Sequence, residues 1–236
     1  ITGAVVTLGT SLTYDTNAQT QNVSNVELDG TDIKTSCDVT DNVQTNAGTY
    51  TLKVKAKTTG NYIGEVSKAF TIAKKSITPT ITVTGTYEYN GNEIEPNFTV
   101  KDGTTALAST DYTAAFADNT NAGTGKITVK EAEHGNYTFS DTPKNFTINK
   151  KTQADVTAAG SAKYGANGTV NLSSVIVPGG TAAYDSMNDT NSVLDGTPTV
   201  SESILNFKFN DNAANATKTA TVLVKVTSTN YTDYNI

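Results

Sequence analysis

The sequence predicts an all-β chain made of three small β-sandwiches in tandem, and a long internal repeat, a two-residue alternation and a set of turn dipeptides carry that prediction. Thr45-Asn46-Ala47-Gly48-Thr49 returns 75 positions later as Thr120-Asn121-Ala122-Gly123-Thr124, and Gly60-Asn61-Tyr62 returns at the same spacing as Gly135-Asn136-Tyr137. Phe70-Thr71-Ile72-Ala73-Lys74-Lys75 returns 76 positions later as Phe146-Thr147-Ile148-Asn149-Lys150-Lys151. A unit of about 75 residues can close its own core, whereas solenoid repeats of about 20 to 50 residues cannot. The repeat therefore marks a small domain copied in tandem.

Strands follow from the alternation of apolar residues with Thr or Lys in Thr51-Leu52-Lys53-Val54-Lys55, Ile81-Thr82-Val83-Thr84, Ile127-Thr128-Val129-Lys130 and Thr221-Val222-Leu223-Val224-Lys225-Val226. This is the pattern of half-buried antiparallel strands. Between them, Asp29-Gly30, Asn90-Gly91, Asp102-Gly103, Asn167-Gly168 and Asp195-Gly196 supply the positive φ angles of tight turns. No amphipathic helix is predicted, and the Asn-rich stretch Asp211 to Ala216 reads as a loop, with at most a short helical turn.

The expected boundaries are residues 1–74 for the first repeat, 75–150 for the second and 151–236 for the third. The connectors Lys74-Lys75-Ser76-Ile77-Thr78-Pro79 and Lys150-Lys151-Thr152-Gln153 are brief and carry no Gly/Ser tract, so stiff junctions and an elongated arrangement are expected. In the third repeat, Thr229-Asn230-Tyr231 is followed only by Tyr234-Asn235-Ile236 where the Phe-Thr-Ile strand is due. Together with a start at Ile1, this gives the expectation of a segment of a longer protein whose third repeat is truncated at its C-terminus.

Composition excludes several function classes. The net charge is −6, and all 17 basic residues are lysines. Without arginine's planar forks or a basic stripe, nucleic acid and anionic membrane surfaces are poor partners. No apolar run approaches the ~20 residues that cross a bilayer. The single cysteine, Cys37, cannot form an intramolecular disulfide and falls opposite Tyr112 in the repeat, which is the place of a small buried strand residue.

Several motifs carry a family resemblance. Tyr87-Glu88-Tyr89-Asn90-Gly91, Pro96, Val100-Lys101-Asp102-Gly103, Asp111-Tyr112, Asn119-Thr120-Asn121-Ala122-Gly123, Gly135-Asn136-Tyr137 and Phe146-Thr147-Ile148 resemble the MBG or YDG-type bacterial immunoglobulin-like repeats of large surface proteins. The first repeat matches from Tyr14 onward, with Asp15 at the position of Asn90. The third keeps Tyr164-Gly165 and Asn230-Tyr231 but lacks the Asn-Ala-Gly element. The resemblance implies three tandem immunoglobulin-like sandwiches, an extracellular or cell-surface location and neighbouring repeats as partners.

The chemistry-bearing residues are few. His134 lies in Glu131-Ala132-Glu133-His134-Gly135, but neighbouring strand residues face opposite sides and Ala56-Lys57-Thr58-Thr59-Gly60 carries none of these groups. The one imidazole and the one thiol fall in different repeats, so nucleophilic catalysis lacks its parts. The loops Asp38 to Asn42, Asp118 to Asn121 and Asp185 to Asn191 are rich in oxygen ligands, yet Asp118-Asn119-Thr120-Asn121-Ala122-Gly123 departs from a calcium-loop pattern and fits Asx turns. The tyrosines Tyr14, Tyr89 and Tyr164 share one repeat position, and Tyr62, Tyr137 and Tyr231 another, as packing residues do.

The expectation is a monomeric structural stalk or spacer of a bacterial surface or secreted protein, with no catalytic residue, cofactor or metal. The alternative is an adhesin module that binds a glycan or a host surface protein through loops of the third repeat, around Tyr184 to Leu194.

Overall fold

In a computed structural model, which describes residues 1–236, the chain is almost wholly β, with single-turn 3-10 helices at Lys34–Ser36 and Ala213–Asn215. The second of these falls in the Asn-rich stretch, where the Asn212 side chain accepts the Ala214 N–H and starts the turn. The chain forms two compact units. One comprises Ile1–Val83, Phe98–Ala115 and Ile127–Lys144; the other comprises Thr84–Asn97, Phe116–Lys126 and Asn145–Ile236. The second repeat thus contributes residues to both.

In the first unit, Val5–Leu8, Val23–Leu28 and Thr31–Asp32 make a three-stranded sheet. A four-stranded sheet runs in the order Leu12–Thr13, Glu65–Ala73, Gly48–Ala56, Cys37–Thr40. Its long strands are antiparallel, and Leu12–Thr13 lies parallel to the last strand by pairing Leu12 with Ile72. Alternation sends Leu52, Val54, Phe70 and Ile72 inward onto Val6, Val23, Val26 and Ile33, and Lys53 and Lys55 outward. That gives a sandwich-like core with twelve buried residues. The Asp29-Gly30 turn has φ of 50° and 79°, the two positive values a tight hairpin needs.

The second repeat has the same strand orders, Thr80–Thr84, Asn97–Asp102, Thr105–Ala106 in one sheet and Tyr87–Glu88, Thr142–Asn149, Gly123–Glu131, Tyr112–Ala117 in the other. Again the short strand is parallel to the last, with Tyr87 opposite Ile148.

Within the second unit, the third repeat builds Asn167–Asn171, Ile204–Lys208 and Thr199–Ser201 into one sheet and Thr181–Asn188, Thr221–Thr227 and Tyr234–Asn235 into another. The expected turn at Asn167-Gly168 is corrected here. Both residues belong to a strand, Gly168 is buried, and a Cβ on it would stand 2.3 Å from the Phe207 ring. Gly165, at φ 73°, makes the turn instead. Glycine at 168 serves close approach, not positive φ.

Candidate functional site

The residues that recur in sequence are those that join consecutive repeats. In the first unit, Asn136 Oδ1 accepts the Ala47 N–H at 2.8 Å, and Asn136 Nδ2 donates to Asn46 Oδ1 at 3.4 Å. In the second unit, Asn230 Oδ1 accepts the Ala122 N–H at 2.8 Å, and Asn230 Nδ2 donates to Asn121 Oδ1 at 2.9 Å. The Asn of the Asn-Tyr pair, Asn136 or Asn230, therefore reads the Asn-Ala of the preceding repeat with the same atoms twice.

The tyrosines repeat the relationship. Tyr14 and Tyr137 meet edge to face with centroids 5.3 Å apart, and Tyr89 and Tyr231 do so at 5.6 Å. Each lysine pair then ties the junction. Lys74 Nζ donates to the Ala132 carbonyl at 2.8 Å and Lys150 Nζ to the Ser228 carbonyl at 2.6 Å. The Lys75 N–H donates to the Asn136 carbonyl at 3.0 Å and the Lys151 N–H to the Asn230 carbonyl at 2.8 Å. Short parallel pairings, Lys75 with Tyr137 and Lys151 with Tyr231, complete both.

The loop that presents Asn136 is fixed from below. The buried Asp111 accepts the Asn136 N–H through Oδ1 at 2.8 Å, and its carbonyl accepts the Ala132 N–H at 3.1 Å. Gly135 lies so close to this backbone that a Cβ would stand 2.9 Å from the Asp111 Cα and carbonyl oxygen. Tyr137 is 3% exposed, and burial, followed by the neighbouring Tyr14, raises its phenol to about 12. The equivalent residues of the first repeat, Asn61 and Tyr62, are exposed and half-buried, and Ile63 beside them is 86% exposed.

The chemistry-bearing residues do not converge. His134 is exposed on its turn. Glu131, close to it in sequence, is held by the Thr138 hydroxyl and the Phe139 N–H, which lower its carboxyl below the usual range. Cys37 is buried with Sγ 3.5 Å from the Ile33 carbonyl, and burial pushes its thiol up. No group of three or more His, Cys, Asp or Glu residues is placed to hold a metal ion.

The oxygen-rich loops spend several of their side chains on bonds within the protein. Asn119 is buried and donates to the Ile94 carbonyl, and Asn121 belongs to the junction. Asp189 accepts the Val193 and Leu194 N–H groups at 2.7 and 2.8 Å, one on each carboxylate oxygen. Asp41, at φ 59°, pairs with Lys53 at 3.1 Å, and Asn42 donates to the Gln21 carbonyl. Tyr184 is half-buried in the strand Thr181–Asn188, and Tyr164 is 58% exposed.

The junction role of Asn136 and Asn230 escaped sequence reasoning, although the motif itself was visible. Its partner lies in the preceding repeat, 89 residues away for Asn136. No model of a known protein family matches this chain, and no curated protein matches it.

Proposed function

We propose that the chain is a spacer segment: three immunoglobulin-like sandwiches of the MBG or YDG type, bounded at residues 74 and 150, that hold a fixed separation on a bacterial cell surface or in a secreted protein. The observation that carries this reading is the duplicated junction, in which Asn136 and Asn230 make the same bond to the backbone of Ala47 and Ala122. A specific bond at each junction restricts the freedom of one module relative to the next. Folded modules with short, bonded linkers resist the collapse of a disordered tether. The partners in this reading are neighbouring repeats, the molecule is a monomer, and it performs no catalysis.

Lys53, Lys55, Lys126 and Lys130 lie on the outer faces of interior strands and keep those faces charged and solvated. The adhesin alternative draws less support, because Asp189 already spends both carboxylate oxygens on its own loop.

Small-angle scattering on the whole chain and on the doubly substituted Asn136→Ala, Asn230→Ala chain tests the reading. The expected result is an elongated particle whose flexibility increases in the double variant. A compact globule, or a profile the substitutions leave unchanged, overturns it.

A further inference from the structure

Two asparagines of the chain, Asn90 and Asn167, are followed by glycine. In this dipeptide a backbone amide most readily attacks the preceding side chain, because glycine puts no Cβ in the way. The fold treats the two sites differently. Gly168 is a buried strand residue paired with Phe207, and the ring packed against it fixes its backbone. Asn90 and Gly91 are exposed and lie outside any strand, and the Gly91 N–H carries no hydrogen bond.

The turn at Asn90 is also prepared for the attack. Asn90 Oδ1 accepts the Asn92 N–H at 2.8 Å, so the carboxamide is folded over the backbone that follows it. That holds Cγ over the Gly91 amide and puts a donor on the oxygen that gains negative charge as the nitrogen adds. The first repeat has the same turn without the reactive pair. There Asp15 Oδ1 accepts the Asn17 N–H at 2.9 Å, which holds the carboxyl below its usual range. Thr16 stands at φ 77° where Gly91 stands at 85°. An aspartate in this turn therefore fits the fold.

We propose that Asn90-Gly91 is a self-deamidation site and that its isoaspartate product loosens the second junction. The Gly91 nitrogen gives up its proton and bonds to Asn90 Cγ; the Cγ–Nδ2 bond breaks, and the side-chain nitrogen leaves as ammonia. Water then opens the resulting succinimide. Breaking the new Cγ–N bond leaves aspartate on an ordinary backbone, as at Asp15. Breaking the original peptide C–N bond leaves isoaspartate, with the chain rerouted through Cβ and Cγ and lengthened by one carbon. The residue before it is Tyr89, whose N–H donates to the Asn149 carbonyl at 2.9 Å and whose ring meets Tyr231. A longer backbone directly after Tyr89 pulls against both contacts.

The test ages the whole 236-residue chain in mildly alkaline buffer, with and without denaturant, and maps its peptides by fragmentation that separates aspartate from isoaspartate. In the folded chain the expected result is progressive loss of ammonia and gain of water at Asn90, with Asn167 intact. In denaturant both convert. Gly91→Thr copies Thr16 of the first repeat and is expected to slow conversion of Asn90 several-fold in the folded chain. Asn90→Asp is expected to melt with the native chain, and the isoaspartate fraction, resolved by ion exchange, below both. The proposal is overturned by a folded chain in which Asn90 stays intact, or in which Asn167 converts as fast. Gly91→Thr converting at the native rate also overturns it, as does an isoaspartate fraction that melts with Asn90→Asp.

Discussion

Asn136 holds Ala47 from the next repeat: its side-chain oxygen takes the Ala47 N–H at 2.8 Å while its own N–H is held by Asp111 at the same distance. The asparagine is thus gripped from its own repeat before it reaches the other, which removes side-chain and loop freedom ahead of docking. Truncating it to alanine leaves the part-buried Ala47 amide without its acceptor. Asn136→Ala is expected to cost about 1–2 kcal/mol in urea unfolding. Asn61→Ala, at the exposed equivalent in the first repeat, should change nothing measurable.

Gly135→Ala is expected to destabilise more than a turn substitution of the same kind. The added methyl would stand 2.9 Å from Asp111 backbone atoms, which cannot swing aside as a long side chain could. At Gly30 a Cβ meets nothing within 4 Å, and only the φ of 79° is strained. Thermal melting should show a loss of more than about 2 kcal/mol for Gly135→Ala and about 1 kcal/mol for Gly30→Ala.

Tyr137 links stability to alkaline pH. Its phenol titrates at about 12 in the fold, against about 10 in an unfolded chain. The folded state keeps this proton longer, so its contribution is complete below pH 10 and is lost as pH rises toward 12. The decline in unfolding free energy over that window should be steeper in the native chain than in Tyr137→Phe. Ultraviolet titration should show a late-ionising phenol in the native chain that is missing from Tyr137→Phe.

Cys37 should be unreactive in the folded chain. Burial disfavours its thiolate, which is the attacking species. A thiol reagent such as DTNB is expected to label about one equivalent in denaturant and almost none without it.

The strands were legible because alternation is a local signal: Thr51 to Lys55 and Ile127 to Lys130 fall inside the strands Gly48–Ala56 and Gly123–Glu131. The junction was half legible. Recurrence of Gly-Asn-Tyr showed that the motif is constrained, but its bond partner is set by tertiary docking that no local pattern encodes. Asn167-Gly168 misled for a related reason: the dipeptide suits a turn, and the demand that outweighed it was the Phe207 ring packed against Gly168. The acidic loops read as Asx turns; Asp189 instead reaches four and five residues on, to the Val193 and Leu194 N–H groups, a span the local pattern does not encode.

The junction also bears on how such a chain changes over generations. The second and third repeats carry the asparagine and tyrosine of a joint, and the first two carry the Asn-Ala backbone that receives it. An in-frame duplication of the second repeat would arrive with both halves of its fittings, so the gene can lengthen the protein by whole modules without any compensating substitution. A duplication of the third repeat, which lacks the Asn-Ala-Gly element, would not.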